Sequence, residues 1–175
     1  MGEEKISIEI AKLIKKIDFN WGCHEVFIVF KGNYIHENNQ NHPQSYYDGE
    51  VKEEHSFYHK NNIEGFDLSN RVYDIYARPT LAVLQKWFMQ EHSIFVLASF
   101  TEDGVSNDWI ASVHGVFAER GKFELGKSDG KASSYEEALM IGLYIASEYL
   151  YNEMMRMDKL KNNFFNPFKF IPLLF

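Results

Sequence analysis

The residues with the most chemistry to offer are the histidines and carboxylates in the middle of the chain. Seven histidines are present, and His55 and His59 are spaced i, i+4, which would set two imidazoles on one face of a helix. The intervening Ser56-Phe57-Tyr58 favours a strand instead, where the pair shares a face but lies too far apart to chelate one ion. No H-E-x-x-H occurs, and Glu53 and Glu54 fit no ligand spacing with these histidines, so no metal site is expected. Glu102, Asp103, Asp108 and His114 together have the residue types of a hydrolase acid–base set. Asp103-Gly104 and Asn107-Asp108 are equally ordinary hairpin-loop residues, and His114 falls on the solvent side of a strand pattern. Cys23 is the sole cysteine, so an internal disulfide and a cysteine-rich zinc site are both excluded. It precedes an apolar run at 26–30 and reads as a small buried filler. Because G-x-S-x-G, P-loop, G-x-G-x-x-G and C-x-x-C patterns are all missing from the sequence, neither a catalytic residue nor a cofactor is assigned.

Binding chemistry is better represented. The chain ends in a segment, 162–175, that carries eight large apolar residues: Phe164, Phe165, Phe168, Phe170, Ile171, Leu173, Leu174 and Phe175. Pro167 and Pro172 oppose helix there, so an extended tail over 161–175 is expected. Such a tail folds back over its own core or docks onto another chain, with a membrane anchor as the remaining reading, because aromatic anchors dominate interface energetics and exposing all of them to water favours aggregation. Tyr46 and Tyr47, in a polar loop, are a second pair of contact candidates.

Composition limits the classes available. The chain has 175 residues, 45% of them hydrophobic and 16% aromatic, enough to build one core and one domain over 1–160. Its net charge is −7, with Lys and Arg dispersed among acids, as in Glu3-Glu4-Lys5 and Glu50-Val51-Lys52-Glu53-Glu54. Dispersed cations disfavour direct binding to nucleic acid, which requires clustered ones. No apolar run approaches the roughly 20 residues of a membrane helix. The first residues carry acids where a secretory leader carries positive charge, and position 6 is Ile where a myristoylation signal has Ser or Thr. A soluble cytoplasmic protein is the expectation.

The elements that position these residues alternate between helical and strand periodicity. Residues 3–17 form an amphipathic helix pattern through Ile6, Ile10, Leu13, Ile14 and Ile17. Residues 24–30 read as a strand, followed by a turn at Lys31-Gly32-Asn33 that returns the chain through Tyr34 and Ile35, a polar loop or long hairpin tip over 37–50, and short extended pieces at 56–59 and 72–76. Pro79 fits the first turn of a helix whose stripe is Leu81, Leu84, Trp87 and Phe88. Strands at 94–100, 109–117 and 123–125 are joined by short turns, which argues for an antiparallel meander. Ser134 and Glu137 form a capping box ahead of a helix in which Ala138, Gly142 and Ala146 make a stripe of small residues. The fold class read from this order is α+β: an antiparallel β-meander packed against two or three helices, with an extended aromatic tail.

Five short motifs carry a resemblance: Ile10-Ala11-Lys12-Leu13, the turn from Phe19 to Cys23, Leu84-Gln85-Lys86-Trp87-Phe88, His92-Ser93-Ile94, and Tyr135-Glu136-Glu137-Ala138-Leu139. Together they resemble a family of small uncharacterised proteins of bacteriophages and bacterial mobile elements. The resemblance implies a phage or prophage origin, a bacterial host cytoplasm and a small accessory role, and it brings no catalytic residues with it. After Leu150 this chain departs from the pattern by running on into its aromatic end. The functional expectation is a non-enzymatic interaction protein that binds and modulates a host protein. The alternatives are a homo-oligomeric structural or virion-associated protein, and a small His/carboxylate hydrolase.

Overall fold

The computed structural model describes residues 4–31, 34–36, 44–46, 50–54, 58–59, 62–63, 73–102, 107–117, 121–128 and 130–164. Helix α1 (Ile8–Lys16) begins later than its apolar periodicity, because Ser7 caps it: the Ser7 hydroxyl accepts from the Ile10 N–H at 3.5 Å. Ile6 still enters the core, from an extended approach in which its N–H donates to the Pro79 carbonyl. The chain leaves α1 through Asp18, whose φ of 60° is a left-handed turn that aspartate tolerates.

Strand β1 (Val26–Phe30) is apolar throughout and lies in the centre of a three-stranded antiparallel sheet. Its neighbours are β4 (Val51–Glu54) and β7 (Tyr73–Ala77), not the segment that directly follows it. That segment supplies β2 (Tyr34–His36) and β3 (Gln44–Tyr46), which pair with each other; the expected return onto β1 through Tyr34 and Ile35 is not formed, because those residues pair with Tyr46 and Ser45. Two further short strands, β5 (Tyr58–His59) and β6 (Asn62–Ile63), pair likewise.

Helix α2 (Leu81–His92) is capped by Thr80, whose hydroxyl accepts from the Val83 N–H at 3.3 Å, so Pro79 sits one residue before the cap and outside the first turn. It ends at Ser93 with φ of 53°, and the chain reverses directly into β8 (Ile94–Glu102). With β9 (Asn107–Phe117) and β10 (Gly121–Lys127), β8 forms the anticipated antiparallel meander, in the order β10-β9-β8. Alternation along β8 and β9 places Ile94, Val96, Ala111, Val113 and Gly115 inside, with Phe95, Leu97 and Val116 on the open face. Gln85 of α2 donates to the Val96 carbonyl at 2.8 Å and so occupies an acceptor of the outer strand β8.

Helix α3 (Tyr135–Phe164) lies across this meander and also packs on α1 and α2. The approach to the sheet is close because the small-residue stripe faces it. A Cβ on Gly142 would stand 2.5 Å from Val96 Cγ1 and 3.3 Å from Ala111 Cβ. Gly126 of β10 makes the reciprocal concession, since a Cβ there would meet Ile145 Cγ2 at 2.6 Å. The core beside this contact is aromatic: Trp87 meets Phe19, Phe88 and His92 edge-on, with centroids 5.2, 5.1 and 4.5 Å apart. Cys23 is buried in the same core as the filler expected of it.

Helix α3 runs through Phe164, four residues past the boundary at 160 where the sequence suggests an extended tail. Neither proline nor glycine occurs between Gly142 and Pro167, so the pattern that starts at Ser134 has nothing to stop it at 160.

Gly142→Ala tests the close approach. Helix propensity alone favours alanine by about 1 kcal/mol, whereas overpacking against a β-branched neighbour costs roughly 1–3 kcal/mol. The variant is therefore less stable in denaturant titration, and Val96→Ala in the same chain recovers part of the loss. Equal or greater stability of Gly142→Ala would show that the helix sits farther from the sheet.

Candidate functional site

Three parts of the surface could engage another molecule. The first is a cleft of about 610 Å³ between the N-termini of α1 and α3, a volume in the range of small-molecule sites. Ile10, Met140, Ile141 and Tyr144 give it an apolar side, and Glu4, Glu9, Glu137 and the caps Ser7 and Ser134 a polar one. Two of its acids, Glu9 and Glu137, do helix-terminus work. Glu137 Oε2 accepts from both the Ser133 hydroxyl at 2.6 Å and the Ser133 N–H at 2.7 Å, which holds its carboxyl below the usual carboxylate range. The Glu137 N–H in turn donates to the Ser134 hydroxyl at 3.1 Å, so the capping box is closed through Ser133, one residue before the cap. Glu9 is lowered by its own backbone N–H and then by the Ser7 hydroxyl. Negative charge at two converging helix N-termini is favourable by itself. The Tyr144 hydroxyl donates to Glu148 at 2.8 Å, and that bond raises its pKa.

The second is a charged knot where the N-terminal segment, the entry to β1 and the end of β7 meet. Glu25 accepts from Lys5 and, at 3.0 Å, from Arg78, which also contacts Glu53 at 2.7 Å and lies over the Phe27 ring at 4.9 Å. The Cys23 thiol donates to the Glu25 carbonyl at 3.2 Å, and burial pushes that thiol's pKa up, away from thiolate reactivity. The knot ties four pieces of chain together and presents no nucleophile–base pair.

The third is the outer part of α3. Leu139, Leu143 and Ala146 are buried and Leu150 packs half-buried against the core. At Tyr151 the helix still touches the body, the ring carrying Lys16 Nζ at 4.9 Å. Met154, Met157 and Leu160 continue the same three-to-four-residue spacing, and they are 42%, 50% and 44% exposed. From Tyr151 to Phe164 the helix extends about 20 Å at 1.5 Å per residue. The described ion pair along it is Arg156–Glu153 at 2.7 Å. An apolar line along a helix face is ordinarily covered by another element.

The residues singled out from sequence fare as follows. Phe164 is the final residue of α3, and Tyr46 closes β3 in register with Tyr34. Tyr47, Phe165, Phe168, Phe170, Ile171, Leu173, Leu174 and Phe175 lie outside the described residues. His55 and Asp103 do too; His59 lies in β5, where the strand reading places it. Asp108 contacts Lys131 at 2.9 Å, and His114 is six positions along β9, which separates the two by about 20 Å of strand. That distance is too great for a shared proton. Among the described residues no cluster of three or more His, Cys, Asp or Glu could hold a metal ion, and no helix is long and apolar enough to cross a membrane. Sequence reasoning missed the outer α3 stripe. The signal was the unbroken spacing Leu150, Met154, Met157, Leu160, which the aromatic residues after it overshadowed.

His92 supplies a pH test of the core. Its ring meets Trp87 edge-on, and its Nε2 is buried without a hydrogen-bond partner among the described residues. Burial lowers its pKa below the ordinary 6.5, with Glu91 opposing. Between the lowered folded value and 6.5 the unfolded chain binds more protons, so stability is full above 6.5 and declines as pH falls through that window. The melting temperature should fall on acidification from about pH 7.5 to about pH 5, and His92→Phe should flatten that slope; an unchanged slope would place the effect elsewhere. The chain matches no protein-family model, no curated protein and no solved structure.

Proposed function

We propose that this chain is a protein-association module whose docking element is the outer part of α3. One observation carries the reading: the face of α3 that is buried as Leu139, Leu143 and Ala146 runs on into solvent as Met154, Met157 and Leu160. Methionine and leucine on a projecting helix suit docking, since flexible thioethers adapt to an opposing surface. The polar groups elsewhere point away from catalysis as the main role. Glu9 and Glu137 serve helix caps, and Glu25 and Arg78 serve the charged knot. The biological setting that goes with this reading is an accessory protein of a phage or mobile element acting in a bacterial cytoplasm, and it rests on the motif resemblance.

The test compares the native chain with Met154→Lys/Met157→Lys/Leu160→Lys. These side chains are exposed, so the variant keeps the native fold, as its circular dichroism should show. The native chain should exceed its 20.5 kDa monomer mass, alone or in bacterial extract, and the triple variant should revert to that mass in both settings. A native chain that stays at 20.5 kDa in both would overturn the reading.

A further inference from the structure

We infer that the occupant of the outer α3 face is a second copy of this chain, lying antiparallel to the first and centred on Met157. This rests on the association reading above and names its partner. The stripe is symmetric about Met157. Counting from Met157, Met154 and Leu160 stand three residues before and after it. A two-fold axis at Met157 therefore sets Met154 level with Leu160 of the second copy, and Leu160 level with its Met154. Each copy presents the same patch to the other, as a closed two-fold interface requires.

Charge then selects the direction. Glu153 and Lys161 lie four residues either side of Met157 and close to the apolar line. Antiparallel pairing sets the acid of one copy level with the base of the other at both ends of the contact. Parallel pairing sets Glu153 against Glu153 and Lys161 against Lys161, two like-charge layers. The Arg156–Glu153 contact within each helix is compatible with the antiparallel arrangement, because Arg156 lies on the flank. The strip is short, so the area it buries falls near the lower limit of specific interfaces, roughly 1,200 Å² in total. Pairing is therefore concentration-dependent.

Light scattering on the full chain over about 5 to 200 µM, a range that brackets micromolar affinity, should show the mass rising from 20.5 kDa towards twice that value. Glu153→Lys should weaken the dimer about tenfold by creating like-charge layers, and Lys161→Glu added to the same chain should restore it. Orientation is read by thiol cross-linking with a short reagent, the native chain with its buried Cys23 serving as control. A mixture of Glu153→Cys and Lys161→Cys chains should cross-link. Each alone should not, being about 12 Å out of level along the axis at 1.5 Å per residue. A monomer throughout the concentration range overturns the inference, and so does self-cross-linking of each single variant. If the chain is monomeric alone but forms a complex in extract that the Met/Leu→Lys variant loses, the association site stands and the occupant is a different protein. If neither association occurs, both readings fall.

Discussion

The rest of the fold depends on how closely α3 lies against the β8–β9–β10 sheet. Gly142 has no room for a side chain between Val96 and Ala111, and Gly126 has none beneath Ile145. Protein interiors are packed as densely as organic crystals, so this proximity dictates the rotation of α3 about its own axis. Once Ala138, Gly142 and Ala146 are turned to the sheet, Leu139, Leu143 and Leu150 must fill the space between the sheet, α1 and α2. The glycine sacrifices helix propensity, and dense contact on both sides compensates.

That rotation also fixes what happens beyond the body. Helix α3 is continuous for 30 residues, so the direction in which Met154, Met157 and Leu160 point is determined by the contact at Gly142 several turns earlier. A helix anchored firmly along its first half presents its second half as a stiff arm. Its apolar line is therefore preorganised, and binding there does not have to order the backbone first. The projecting face is a consequence of core packing as much as a feature of local sequence.

Charged residues contribute mainly by holding chain segments in register. Glu25 gathers Lys5 and Arg78, and with them the N-terminal segment that hydrogen-bonds to Pro79 and Leu81. The half-buried Arg78 is tolerable because two carboxylates and the Phe27 ring surround it. At the other end of α1, Lys15 donates to the Ile75 carbonyl at 2.9 Å and Lys16 rests on Tyr151, so the lysines that suit the helix dipole also fasten α1 to β7 and α3. The N-termini of α1 and α3 meet at one cleft, and their acids are committed to caps.

Much of this was legible in the sequence. Periodicity located α2, α3 and the meander, because a strand joined to the next by a few residues can only return antiparallel. The Ser134–Glu137 spacing marked the start of α3, and Gly142 among alanines marked a close approach, since both signals are local and stereochemical. The pairing of β1 with β4 and β7 was not legible: partners separated by tens of residues are chosen by burial of a shared face, and no local pattern encodes that choice. The caps at Ser7 and Thr80 were readable but ambiguous, since apolar spacing upstream of Ser7 and a proline beside Thr80 both suggested an earlier start. For the candidate site, the sequence by itself determined that the end of the chain is rich in apolar residues. Only the tertiary structure decided where burial stops. The spacing Leu139, Leu143, Leu150, Met157 is the same inside and outside the core, and helix periodicity records which face a residue is on, not whether another element lies against it.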